Sequence, residues 1–594
     1  MFEFNNIESY PLLETVKYHD IFKEQIVLLY YNLTRKNNDN AQLNKLSTQF
    51  NSLLIQLKLA CKKDSSLVTY VEIIYKMIAE TRDCFYGKGE HDLSYMLIFI
   101  FYKYYPVLAT YLIYKFVQPL ENGSLGKLGY GSWRDIKYLC QYVREKSSKK
   151  EKDPIIEICV ELVTLTLKKD MEIVSRLKKD FPDGNINYRE HLSSLVKWLP
   201  RENKKFDWLN ELCVIQWFDT YRPDFFGKVT CYEGYYMALD KAKMLYRKMV
   251  ACINRYLDTT EIKLCEKGID KIIIKNVPQI CMNNNHHLFL NDSLKQRHLL
   301  ALFTNKTMDS FHHMKDHLHN KYVAGKEGPY EFGREHSMYL PNSGKLSYFI
   351  KEAYHLIENH TYYNNHDIRI DMLNNQWKQM SEMIGHKQFD SFIPLLDVSF
   401  HHDKETLYSG IALAILISEH SSYKNRILVI DQQPLWVNLE KYDTLFSKMV
   451  ILHKSIRSFH GTTSNFLRGI QLVLESFIET SSINKLADMN LVFLHGDHPV
   501  EYKKVIDLYY KKGMESSFKV GLPCSRVIYW NLSQKYIDSI HNHPNCFYLS
   551  GLSPSLLMNL YLIHKNKKAD AFQFISSILG KVYYDDIKIS RFIL

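Results

Sequence analysis

At 594 residues the chain is too long for one ordinary core, so two or more domains are expected. A hydrophobic content of 46% with 24% charged residues excludes a disordered or fibrous protein, and a net charge of +11 over this length permits contact with phosphate backbones without demanding it. The 11 cysteines stand singly, with no C-x-x-C pair, which argues against a zinc ribbon or disulfide scaffold and for reduced thiols in an intracellular, cytoplasmic setting.

The N-terminus, MFEFNNIESYPLLE, lacks a basic segment followed by an apolar one, so no signal peptide is expected. The longest apolar stretch, residues 95–117, is interrupted by Lys103 and Pro106. A spanning helix needs about 20 apolar residues, so this stretch predicts a buried helical hairpin and no membrane partner. VTYVEIIYKMIAE (68–80), DIKYLCQYVRE (135–145), residues 155–180 and residues 233–257 all carry apolar residues at three- and four-residue steps. Strand-like segments are nearly absent before residue 385. This rhythm predicts a helical-repeat domain or irregular bundle over residues 1–385.

Over residues 386–594 the pattern alternates. FIPLLDV (392–398), RILVID (426–431), PLWVNL (434–439), NLVFLH (490–495), RVIYWNL (526–532) and NCFYLSG (545–551) read as strands, with helical segments between most of them. Short apolar strands alternating with helices predict a doubly wound parallel sheet covered on both faces. The predicted class is therefore mainly α followed by α/β. In such sheets ligands bind beyond the carboxyl ends of the strands, and Asp397 sits at one such end.

The stretch PLLDVSFHHD (394–403) places a D-x-S sequence at that strand end. An open sheet opening this way resembles a von Willebrand factor type A domain. TRDCFYGKGEHDL (81–93), YGSWRDIKYL (130–139), VKWLPRE (196–202), IPLLDVS, RVIYWNL and CFYLSGLSPSLL resemble, in this order, an uncharacterised family of plants, fungi, amoebae and giant DNA viruses. That family is similar to the Ro/TROVE proteins. The resemblance runs from about residue 75 to about residue 565. It implies a ring of HEAT-like helical repeats carrying a von Willebrand A-like domain, with RNA, structured or single-stranded, as partner. The low Gly and Pro content and the abundance of Asn, Lys, Ile and Tyr, typical of an AT-rich genome, fit a giant virus of amoebae, hence packaging in a virion.

The resemblance also implies a metal-ion-dependent adhesion site built from three loops. The first offers Asp397 and Ser399, with His401 where a second serine belongs. The second offers Ser464, or Thr463 beside it. The third has His495 at the strand-end aspartate position and Asp497 two residues on. Mg²⁺ wants near-octahedral oxygen donors, and imidazole at two positions degrades such a set. We expect a degenerate site and no cofactor beyond a divalent cation, Mg²⁺ or Mn²⁺; a softer ion such as Zn²⁺ would suit the imidazoles.

Other constellations are weaker. The histidines of FHHMKDHLHNKY (311–322) lack the glutamate of H-E-x-x-H and read as a solvated helix face. His541, His543 and Cys546 read as a plain loop before a strand. GKGEHD (87–92) lacks the Walker spacing, and its glycines predict a turn in which Arg82, Lys88 and Glu90 form a structural polar network. Basic groups interleaved with aromatics, namely Lys127, Arg134, Arg201, Lys204, Lys205, Lys241, Lys243, Arg247 and Lys248, form the candidate RNA contact. No G-x-S-x-G elbow or cysteine-centred signature is present, so the chain is read as a non-enzyme. The expected function is a non-catalytic RNA-binding scaffold. The alternative is a protein-interaction or virion-structural component whose α/β domain docks a partner.

Overall fold

The computed structural model describes residues 15–34, 40–84, 86–118, 129–181, 188, 191–227, 231–257, 259–265, 346–359, 368–384, 391–399, 404–423, 425–457, 465–480, 483–495, 502–532, 536–540, 543–565, 570–580 and 584. A mainly helical N-terminal region is followed by a sheet domain, an α plus α/β architecture. Packing divides the chain into two compact units, residues 1–104 with 340–594, and residues 105–339. The change of rhythm near residue 385 is thus a change of element type, whereas compactness partitions the chain elsewhere.

The first unit is built on a six-stranded sheet. Its strands are β1 (Phe392–Asp397), β2 (Arg426–Ile430), β3 (Leu435–Asn438), β4 (Asn490–His495), β5 (Arg526–Asn531) and β6 (Cys546–Ser550), in the order β3-β2-β1-β4-β5-β6. Five strands are parallel, but β3 pairs with β2 antiparallel. Only residues 431–434 join those two strands, too few for the crossover that a parallel pair requires. Every residue of β1, β4, β5 and β6 is buried, as expected of strands covered on both faces. The helix after β1, α15 (Lys404–Glu419), is apolar around most of its circumference and correspondingly buried from Ser409 to Ser418.

Helices that precede residue 385 complete this unit. α13 (Leu346–Asn359) buries Leu346, Phe349, Ile350, Ala353 and Leu356 at helical steps. Glu419 of α15 accepts hydrogen bonds from Trp377 Nε1 (3.0 Å) and Ser381 Oγ (2.8 Å) of α14 (Ile368–Ile384). The same carboxylate pairs with Lys448 (2.7 Å) of α16 (Leu445–Arg457). At the other end of the chain, α1 (Thr15–Asn32) packs on β6 and on α20 (Ala571–Leu579), and α3 (Val68–Arg82) also meets α20.

The second unit is helical-repeat-like. The apolar stretch 95–117 is divided between α4 (Asp92–Tyr102) of the first unit and α5 (Pro106–Lys115) of the second, with Pro106 opening the latter. α6 (Trp133–Lys146) begins with a capping box of Ser132 and Asp135, and α7 (Pro154–Asp180) with an Asp153 cap and Pro154. α8 (Leu195–Trp198), α9 (Asp207–Tyr221), α10 (Asp224–Gly227) and α11 (Tyr232–Tyr256) follow and pack on their neighbours. No described helix is long and apolar enough to cross a membrane.

Because α1 packs on β6 and α20, and α3 on α20, a chain lacking residues 1–104 should lose cooperative thermal unfolding of the sheet unit. A sharp, native-like transition for residues 340–594 alone, followed by near-ultraviolet circular dichroism, would contradict this packing.

Candidate functional site

Strand order reverses between β1 and β4, and the carboxyl ends of the strands there form the place where such sheets bind ligands. Asp397 ends β1, buried, with Oδ1 accepting the Ser399 N–H at 2.9 Å. Asp431, just beyond β2, is a second buried carboxylate at this edge, one the sequence analysis did not assign to the ion site. Its backbone carbonyl receives the Asn465 N–H (3.2 Å), and Asn465 in turn caps α17 (Phe466–Glu479). His401, Thr463, Ser464 and Asp497 lie outside the described residues. Among the described residues no group of three or more His, Cys, Asp or Glu side chains could hold a metal ion.

His495 ends β4 with no solvent exposure. Its Nε2 is hydrogen-bonded to the Tyr31 hydroxyl at 2.7 Å, and its ring stacks on Phe493 at 4.8 Å. Burial, with Tyr548 and Tyr529 nearby, holds the Tyr31 phenol well above the ordinary tyrosine range, so it stays protonated. Where the resemblance implies a strand-end carboxylate, the chain therefore carries an imidazole engaged by Tyr31.

The same edge is capped further along by the end of α1. Asn531 Nδ2 donates to the Tyr31 carbonyl (3.2 Å), and Asn32 exchanges two 2.8 Å bonds with the Ile537 backbone. Lys88 Nζ donates to the carbonyls of Tyr30 (2.7 Å) and Leu33 (3.2 Å) and to Ser550 Oγ (2.5 Å) at the end of β6. It also lies 3.7 Å from the centre of the Tyr30 ring. Burial presses the Lys88 ammonium down to about 7, while Glu80 and Glu90 pull it upward. The glycines around it are required. A Cβ at Gly87 would run into the Glu80 carbonyl, and Gly89 has φ +69°. The GKG stretch is thus a turn that docks a lysine, with Arg82 and Glu90 also buried. Ser555 Oγ reaches the Gly87 carbonyl at 2.7 Å.

In the second unit, cations and aromatic rings converge. Arg134 stands 5.1 Å from the Tyr138 ring, and Lys205 lies 5.5 Å from Phe206 and 5.8 Å from Tyr138. Lys137, absent from the predicted set, sits between the rings of Trp198 (5.3 Å), Phe206 (5.4 Å) and Tyr138 (6.0 Å). Burial lowers the Lys137 pKa, and repulsion from Arg134 and Arg201 lowers it further. Among the described residues Arg134, Lys137, Arg201, Lys204 and Lys205 make no ion pair. Lys243 and Arg247 on α11 do, with Glu211 (2.8 Å) and Glu202 (2.9 Å). Lys241 and Lys248 are exposed on the same helix, and Lys127 lies outside the described residues. The helical spacing of 134, 137 and 138 could have revealed Lys137 and Tyr138, whereas the approach of Trp198 and Phe206 depends on tertiary packing. Beneath this face a narrow recess is lined by Trp133 and the buried thiols Cys140, Cys159 and Cys213, the last pushed up to about 12 chiefly by burial. Such thiols are poor nucleophiles.

The remaining clusters are structural or undescribed. His543 Nδ1 accepts the Asn545 N–H (3.1 Å) and its ring packs, tilted, against Tyr502 at 4.3 Å, while Cys546 is buried within β6. His541 and the histidines of residues 311–322 lie outside the described residues. Compared with models of protein families, with curated proteins and with solved structures, the chain matches none.

Two measurements test the capped edge. Lys88→Met strips donors from three buried acceptors and should destabilise the protein by about 2–4 kcal/mol in urea unfolding. An unfolded lysine titrates at 10.5, above the folded value of about 7, so the unfolded state holds more protons in between. Stability should therefore climb as pH rises from about 7 toward 10.5, and this slope should vanish in Lys88→Met. Separately, His495→Asp buries a carboxylate beside Tyr31 and should cost roughly 3 kcal/mol or more, with no recovery of thermal stability on adding Mg²⁺.

Proposed function

We propose that the chain is a non-catalytic RNA-binding scaffold resembling the Ro/TROVE proteins. In this reading HEAT-like repeats, arranged as a ring, present a basic face. A von Willebrand A-like domain carries a degenerate ion site around Asp397, Ser399, Ser464 and Asp497. The observation that carries the reading is the convergence of Arg134, Lys137 and Lys205 on Tyr138, Trp198 and Phe206, with Arg201 near enough to repel Lys137. Cations that already repel one another gain when phosphates replace their counterions. Of the rings beside them, Phe206 is buried, while the exposed Trp198 and the half-buried Tyr138 could offer faces on which unpaired bases stack. Parallel strands with an antiparallel edge strand are compatible with the von Willebrand A assignment. Mg²⁺ or Mn²⁺ at the degenerate site, and a cytoplasmic location, belong to the same proposal.

A protein-interaction or virion-structural role is the second reading. It is favoured by α10–α11, where Tyr232, Tyr236 and Met237 are exposed beside Phe226 and Tyr235, and where Lys243 and Arg247 are already paired with carboxylates.

Fluorescence anisotropy with a labelled RNA, across a salt series, separates the two. Binding should weaken steeply with salt. Replacing Arg134, Arg201 or Lys205 by Ala should flatten the logarithmic salt slope by about one unit each. Failure to bind single-stranded and structured RNA at low salt would remove the first reading and leave the second.

A further inference from the structure

The helix α18 (Tyr502–Glu515) and the turn after it form a ridge that the sheet does not use. Tyr502, Val505, Tyr509 and Gly513 are buried on its inner side. On its outer side Tyr510 is 61% exposed, Met514 42%, Phe518 40% and Val520 59%. Lys503, Lys504, Lys511 and Lys519 are exposed around them, with Asp507 and Glu515 as the acids on the ridge. Lys512 is turned to Glu475 at 3.1 Å, and Lys511 lies 3.9 Å from Glu515. Among the described residues of this outward surface, lysines therefore outnumber carboxylates.

The apolar tip is held in place. Ser516 Oγ donates to the Gly513 carbonyl (2.7 Å) and accepts the Phe518 N–H (3.3 Å). Lys519 adopts φ +52°, a left-handed turn that reverses the chain. A Cβ on Gly513 would collide with the Val520 carbonyl, and one on Gly521 would lie 3.1 Å from the Tyr510 ring. Both glycines thus allow the turn to fold back, which brings Phe518 and Val520 to the end of the stripe of Tyr510 and Met514.

We propose that this ridge docks on an anionic lipid surface, with Phe518 and Val520 entering the interface and the surrounding lysines meeting acidic headgroups. Charge complementarity carries the choice, because basic residues around exposed apolar side chains suit a negatively charged bilayer face. An RNA would satisfy the lysines but give Val520 and Met514 nothing to stack on. Such docking is peripheral and agrees with the lack of a described spanning helix.

The experiment is flotation of the full chain with vesicles of phosphatidylcholine, with and without about one-third phosphatidylserine. We expect binding only to the anionic vesicles and its loss at high salt. Phe518→Ser with Val520→Ser should weaken it at least about tenfold, and Lys511→Ala or Lys519→Ala roughly fivefold each. Phe518→Trp should keep binding and place its indole within reach of a lipid-borne quencher. RNA affinity should be the same in all these variants. No binding to anionic vesicles, binding indifferent to the four substitutions, or a loss confined to RNA or to a protein partner would each overturn the proposal.

Discussion

The sheet unit depends on a lysine removed from water. Lys88 reaches two carbonyls at the end of α1 and the serine that ends β6, joining a turn near residue 88 to a strand end near residue 550. A buried ammonium is tolerated only where its protons are taken up and carboxylates stand near, as Glu80 and Glu90 do. The tight GKG turn delivers it, and Gly551, at φ +118°, lies beside the Lys88 side chain in a backbone conformation that favours glycine.

This contact changes the meaning of the sheet's carboxyl edge. In an open doubly wound sheet that edge is where ligands go. Here Tyr31, Asn32 and Lys88 occupy the ends of β4, β5 and β6, so protein groups satisfy polar atoms that a ligand would otherwise meet. His495 fits this role better than a carboxylate would, since an imidazole can be buried against a phenol without carrying charge. What stays near the switch point is the pair Asp397 and Asp431, both buried.

Chemistry that reaches outward is found on the surfaces. The face around Lys137 gathers cations against rings, and the ridge of α18 gathers lysines around apolar side chains. The two differ in what their apolar atoms are. Under the two proposals, rings beside guanidinium and ammonium groups would suit bases and phosphates, whereas the exposed Phe518 and Val520 would suit a fluid apolar layer.

Much of this was legible locally. Each predicted strand, from FIPLLDV to NCFYLSG, lies within a residue or two of an observed one, because alternation and short apolar runs are set by neighbours in sequence. The D-x-S motif marked the carboxyl end of β1, and the glycines of GKGEHD announced a turn. Sequence spacing also exposed Arg134, Arg201 and Lys205 as basic groups. It could not say that α13 and α14 join the sheet unit, that β3 runs antiparallel, or that Lys137 sits among Trp198, Phe206 and Tyr138. Least of all could it pair Tyr31 with His495, 464 positions apart, or Lys88 with Ser550, 462 apart. Secondary structure follows from periodicity over a few residues, so the sequence by itself determined the elements and their order. Which buried polar groups satisfy one another is settled only when distant segments close on the same edge, and that was decided by the tertiary structure.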